Sequence, residues 1–189
     1  MKRTVPFLLM ITLMLLCGCS AAESAEEKAL EIRAKYLQPT ELTFRADMTA
    51  DYGDRVYDYT VSYTGDGNCG VLSIEKPLEI SGISVSYTED GLRLMSEGAI
   101  IDTGPLWADG LSPAEAFPTL LESWRTGWIT SSYRETLDGR ECVVLELCLG
   151  ADENRTACTW FYEDTLQPAA AELFSDGVSV LRCNFIDKE

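Results

Sequence analysis

From Leu42 to Thr49 apolar and polar residues alternate one by one, with Leu42, Phe44, Ala46 and Met48 set against Thr43, Arg45, Asp47 and Thr49. A period of two marks a half-buried strand. The pattern returns at Val56–Thr64, where Tyr57, Tyr59, Val61 and Tyr63 alternate with Asp58, Thr60 and Ser62. Tyr52-Gly53-Asp54 supplies turn chemistry between the two, which predicts a hairpin. Further strands are expected over Gly70–Glu75, around Ile83, Val85 and Tyr87, and over Leu92–Ser96 and Ala99–Thr103. A second series follows over Trp128–Thr136, Glu141–Leu149, Thr156–Glu163, Ala169–Phe174 and Val178–Phe185, with Asp-Gly pairs marking two of its turns.

Two segments carry helical spacing instead. Ala29, Leu30, Ile32, Arg33 and Tyr36 share a stripe of a helix over Ala25–Tyr36, which Pro39 ends. Leu111-Ser112-Pro113-Ala114-Glu115 reads as a helix start, with Ser112 as cap, Pro113 in first position and Glu115 three residues after the cap. Phe117, Leu120, Leu121 and Trp124 form its apolar side and Gly127 its terminator, while Pro118 predicts a kink or an irregular start. The order is helix, antiparallel strands, helix, antiparallel strands. It predicts an α+β, mainly β, domain in which helices cover the concave face of one curved antiparallel sheet, burying both stripes.

The N-terminus changes the picture from fold to location. Lys2 and Arg3 precede an apolar run, Pro6–Leu16, that falls short of the ~20 residues of a membrane span and reads as an export signal. Leu16-Cys17-Gly18-Cys19 resembles a bacterial lipobox, in which the Cys thiol takes a diacylglyceryl group and becomes the first residue of the mature protein. An ordinary secretory cut within Cys17–Ala22 is the rival reading. The chain thus divides into a signal peptide (1–18), a lipidated Cys19 with an acidic tether (19–27) and one domain (28–189). The expected place is the extracytoplasmic face of the cell membrane.

Composition then excludes chemistry. The net charge of -16 leaves no basic face for nucleic acid and repels anionic headgroups, so membrane attachment must run through the acyl chains. The chain has no histidine, which removes Ser-His and Cys-His nucleophile pairs and the commonest zinc ligand. Five cysteines lie in the domain: Cys69, Cys142, Cys148, Cys158 and Cys183. If one pair bridges, Cys148 and Cys158 are favoured, since they flank the turn at Gly150–Asn154. Asp47, Asp51, Asp54 and Asp58 cluster around the first hairpin but lack the spacing of a calcium loop, and no metal or cofactor beyond the covalent lipid is expected.

The layout resembles the LolA/LolB-like superfamily of bacterial envelope proteins. The resemblance is carried by the first helix running into Leu42-Thr43-Phe44-Arg45-Ala46, by Ile74-Glu75-Lys76-Pro77, and by the hairpin Tyr87-Thr88-Glu89-Asp90-Gly91-Leu92-Arg93-Leu94. It is strongest in Trp160-Phe161-Tyr162-Glu163-Asp164-Thr165-Leu166-Gln167-Pro168, which is similar to a segment joining two late strands in that family. The resemblance implies a half-open β-barrel and a binding function without catalysis. Members carry lipids or lipoproteins, sense envelope stress, or, as lipid-anchored Gram-positive proteins, hold a cell-wall amidase. A tether at Cys19 departs from a soluble carrier, because an anchored protein cannot shuttle.

Two sets of residues stand out as sites. Phe44, Met48, Tyr59, Val61, Leu72, Ile74, Val85, Leu145, Leu147 and Trp160 read first as a core. Read as a ligand site, Phe44, Tyr59, Val61, Ile74, Leu145 and Trp160 would line an open concavity for an acyl chain, with Phe117 and Trp124 as its lid. Trp107, in the loop Gly104–Gly110, would anchor a protein partner or tuck over the mouth. The leading expectation is a scaffold for an envelope or cell-wall protein. The alternative is a tethered receptor for a lipid or lipoprotein acyl chain. A third is an envelope enzyme using paired carboxylates.

Overall fold

The alternating segments assemble into one antiparallel sheet. The computed structural model describes residues 24–38, 40–66, 68–88, 91–104, 111–149 and 154–186. Among the described residues the strands are β1 (Leu42–Asp51), β2 (Val56–Gly65), β3 (Gly70–Lys76), β4 (Ser84–Thr88), β5 (Gly91–Ser96), β6 (Ala99–Gly104), β7 (Trp128–Leu137), β8 (Arg140–Cys148), β9 (Arg155–Tyr162), β10 (Pro168–Ser175) and β11 (Val178–Phe185). The helices are α1 (Ala25–Tyr36) and α2 (Ala116–Thr126).

Across the sheet the strands run β6-β5-β4-β3-β2-β1-β11-β10-β9-β8-β7. Two meanders therefore meet at a seam between the first and last strands, where Ala46 lies opposite Phe185 and Met48 opposite Cys183. The strands next to α2 in sequence, β6 and β7, end at opposite edges and do not pair, so the sheet is not closed into a barrel. The architecture is the α+β, mainly β, curved half-open sheet with helices that the sequence implies.

Helix α1 begins at a capping box: Glu27 N–H donates to Ser24 Oγ at 3.1 Å, and Ser24 N–H donates to Glu27 Oε2 at 2.8 Å. Ala29, Ile32 and Tyr36 are buried, but Leu30 is 64% exposed, so the buried stripe is narrower than the sequence suggests. The far end is tied to the β9–β10 hairpin, since Tyr36 Oη donates to the Leu166 carbonyl at 3.0 Å and Lys35 Nζ to those of Thr165 and Leu166.

Helix α2 starts later than its cap signal indicates. Pro113–Glu115 form a turn, Glu115 takes the cap position, and the helix runs from Ala116. Pro118 thereby falls in the first turn, where a missing N–H costs no intrahelical hydrogen bond, which answers the expected kink with an irregular start instead. Gly127 does end the helix, with ordinary negative φ. Glycine is needed there for proximity, because a Cβ would lie 2.5 Å from the Ser123 carbonyl oxygen.

The expected Cys148–Cys158 bridge is not present. The β8–β9 register puts Cys148 opposite Thr156 and Cys158 opposite Glu146, two residues out of step, and all five domain cysteines are free thiols. The pairing begins as soon as Leu149 N–H meets the Arg155 carbonyl at 2.9 Å, which closes the hairpin too early for the two sulfurs to face one another.

Candidate functional site

The strand period aims Phe44, Val61 and Leu145 into the concavity, where α2 lays Phe117 and Trp124 against them; all five are buried. Phe117 stacks on Tyr63 at 5.3 Å between ring centroids and on Phe44 at 6.1 Å. Trp124 packs edge-on against Tyr36 at 5.0 Å and Phe161 at 5.2 Å, and its indole N–H donates to Thr159 Oγ1 at 3.0 Å. Under the helices the concavity is therefore filled by aromatic packing. Tyr59 and Ile74, by contrast, are half-buried at the margin of this core.

Trp160 does not belong with the inward set. On β9 the inward residues are Ala157, Thr159 and Phe161, and Trp160 lies opposite Val144 on the outer face, its indole N–H donating to Glu135 Oε2 at 2.9 Å. Adjacent aromatics on a strand must face opposite ways, and the sequence reading took the wrong one of the pair inward. Cys19 and Trp107 lie outside the described residues.

Tyr52, Tyr57 and Tyr59 form a ladder along the β1–β2 hairpin, with centroids 6.5 Å apart for Tyr52 and Tyr57 and 6.4 Å for Tyr57 and Tyr59. Burial first, then neighbouring tyrosines, raises the hydroxyls of Tyr52 and Tyr59 above the ordinary phenol range, and Glu115 adds to the effect on Tyr52. Deeper in, Tyr87 on β4 sits 6.2 Å from Tyr63, and its hydroxyl is raised further by burial, Tyr63 and Glu115. An open groove of about 600 Å³ is lined by Asp47, Thr49, Asp58 and Thr60, which share the face of β1 and β2 opposite to Ala46 and Val61, together with Met48, Tyr59, Lys76, Pro77 and Leu78.

The acidic residues of the hairpin serve as local ties. Thr60 Oγ1 donates to Asp47 and Thr49 Oγ1 to Asp58, each at 2.7 Å, and Gly53 N–H donates to Asp51 at 2.9 Å. Glu115, read from the sequence only as a partner of Ser112, is buried. Ser112 Oγ donates to its Oε2 at 2.6 Å. The signal that would have found it is a carboxylate two residues before Phe117, on the entry turn of the most apolar helix.

No family model matches the chain, and no curated protein sequence does either. Among solved structures it is similar to a putative outer membrane lipoprotein-sorting protein domain from Vibrio parahaemolyticus, at 12% identity and a TM-score of 0.51, covering 89% of this chain and 92% of that one. A LolA superfamily protein from Nitrosomonas europaea aligns at 14% identity and a TM-score of 0.44, over 84% and 91% of the two chains. The structure of the CwlD amidase from Clostridioides difficile in complex with the GerS lipoprotein aligns at 14% identity and a TM-score of 0.44, over 91% and 99%. The first of these likenesses establishes the fold, that of an outer membrane lipoprotein-sorting protein domain.

Proposed function

We propose, on the premise of that fold, that this chain is a non-catalytic binding module that scaffolds an envelope or cell-wall protein. A diacylglyceryl group on Cys19 would hold it at the extracytoplasmic face of the membrane, with the acidic segment to Glu27 as a short tether. The observation that carries the reading is the filled concavity. With Phe44, Tyr63, Phe117, Trp124 and Phe161 packed on one another beneath the helices, the interior works as core, and recognition moves to the surface. Charge favours a basic partner over nucleic acid or an anionic bilayer. The absence of histidine from the sequence favours binding over catalysis.

The second reading, a tethered receptor for an acyl chain, draws on one observation, the groove bounded by Met48, Tyr59, Pro77 and Leu78. The two separate experimentally. A photo-crosslinking residue placed at Trp107 or Tyr59 of the full chain, irradiated in cells, should trap one discrete envelope protein. Native mass spectrometry of the full chain released from detergent should then give the lipidated polypeptide alone. A non-covalent adduct that extracts as lipid, with no trapped protein, would sink the scaffold reading in favour of the receptor.

A further inference from the structure

Exposed apolar side chains gather at one end of the sheet. Because every neighbouring pair of strands is antiparallel, the β1–β2, β3–β4 and β10–β11 turns all lie at that end, as does the start of β7. Leu78, just after β3, is 84% exposed, Val178, at the start of β11, 64%, and Trp128, where β7 begins, 76%. Tyr52 and Val56 are exposed on the β1–β2 turn between the first two. These tips are neighbours. Leu78 lines one groove with Asp58 and Tyr59, the tyrosine ladder runs from Tyr59 to Tyr52, and Ala50 opposite Leu181 sets the β10–β11 turn beside the β1–β2 turn. The turns at the opposite end offer Asp138, Asp164 and Thr165 to solvent instead. Large apolar groups clustered on a surface mark a place where something docks.

The bilayer is a poor cover for them. Helix α1 enters at the opposite end, since Lys28 lines a groove with Arg140, Glu141, Glu163 and Asp164 of the β7–β8 and β9–β10 hairpins. From a lipid at Cys19 the chain has five residues to reach Ser24, a span of at most about 18 Å. A strand of ten residues such as β1 separates the two ends by about 30 Å. Turning the tips into the membrane would lift Ser24 beyond the reach of its anchor. Charge points the same way. The tips carry Asp51, Asp54, Asp58, Glu79 and Asp176 at their surface, against Arg55, Lys76 and Arg155. Within a chain of net charge -16, that balance repels anionic headgroups and a second copy, and attracts a basic surface.

We infer that the tip end, with Tyr52, Val56, Leu78 and Val178 as its apolar contacts, is the docking surface for the scaffolded protein, whose matching face is apolar with a rim of Lys and Arg. The inference rests on the scaffold and anchor readings above and gives them an orientation, with the α1 end toward the membrane and the tip end toward the partner.

The test is photo-crosslinking of the full lipidated chain in cells. Benzoylphenylalanine is placed at Leu78 or Val178 on the tips and at Asp138 or Thr165 at the other end, and the crosslinked peptides are sequenced. Leu78 and Val178 should trap one and the same envelope protein, through a segment flanked by Lys or Arg, and Asp138 and Thr165 should not trap it. With the photo-residue at Val178, the pair Val56→Ser and Leu78→Ser should lower the yield about tenfold. The urea midpoint should stay unchanged, since both side chains are exposed. Val178→Ser, read from Leu78, should act in the same direction. Tip crosslinks to phospholipid or to a second copy overturn the surface, and so does an undiminished yield in these variants. A protein trapped from Asp138 or Thr165 and not from the tips sinks the surface and leaves the scaffold standing. No protein from any of the four positions, with a lipid adduct on the purified chain, sinks both.

Discussion

The indole N–H of Trp124 donates to the hydroxyl of Thr159 at 3.0 Å, with both residues buried. This one bond fixes α2 to the centre of β9, and Trp124 in turn packs on Tyr36 of α1 and Phe161 of β9. Thr159→Val keeps the shape and removes the acceptor, leaving a buried donor without a partner. A loss of about 1 to 3 kcal/mol is expected, read as a lower urea midpoint at unchanged slope. A variant as stable as the parent would mean that the indole finds another acceptor.

The start of α1 should respond in the same units but more weakly. Ser24 and Glu27 satisfy each other's backbone N–H reciprocally. Ser24→Ala removes half of the box and should cost about 1 kcal/mol, while Ser24→Asp, which preserves the acceptor, should stay close to the parent. Hydrogen exchange in the first turn of α1 would report the fraying directly.

The five domain thiols are free but unequal. Cys69 is exposed, whereas burial pushes the thiols of Cys158 and Cys183 from the ordinary thiol value of 9.0 up to about 12. At neutral pH iodoacetamide should therefore label Cys69 readily and Cys183 only after unfolding. The same shifts set the alkaline stability. A pKa raised on folding means that the native state holds its proton more tightly, so this stability is complete below pH 9 and is lost as pH climbs toward 12. Cys183→Ala should flatten that limb of the stability profile, and an unchanged limb would discount Cys183.

Most of this fold was legible because its strands obey a strict period. Leu42–Met48, Tyr57–Tyr63 and Val143–Leu147 each put one face inward as their alternation requires. What escaped depended on facts the period does not carry. Trp160 and Phe161 both fit an apolar face, and only the β8–β9 register decides that Phe161 is the inward one. The same register keeps Cys148 and Cys158 apart. The burial of Glu115 escaped for a different reason: its spacing from Ser112 is fully explained by local helix-start chemistry, which says nothing of how deeply that turn is buried.

The anchor proposed at Cys19 can be tested by itself. With the lipobox reading, the full chain should partition into the detergent phase and incorporate labelled fatty acid, and Cys19→Ala should abolish both without changing the fold of the domain. The acidic surface supplies no substitute attachment, since it repels anionic headgroups. Continued membrane association of Cys19→Ala, after an alkaline carbonate wash, would place the anchor elsewhere.

The sharpest separation between a filled and an open concavity comes from Phe117. Its ring stacks on Tyr63 and on Phe44, which also stack on one another at 6.4 Å, and it has no exposed surface. If it belongs to a core, Phe117→Ala leaves a void lined by rings that cannot collapse around it, and the loss should reach about 3 to 5 kcal/mol. A residue that merely lids a ligand slot would behave differently, because truncating it would enlarge the slot at little cost and change what the protein binds. The same logic makes Val61→Asp, an obvious block to acyl-chain entry, uninformative here: Val61 is fully enclosed beside Ala46, and a buried charge would unfold the domain. Urea unfolding of Phe117→Ala, followed by native mass spectrometry, settles the question in one preparation. A large loss of stability with no bound lipid supports core. Parental stability with a newly bound acyl species would restore the receptor reading.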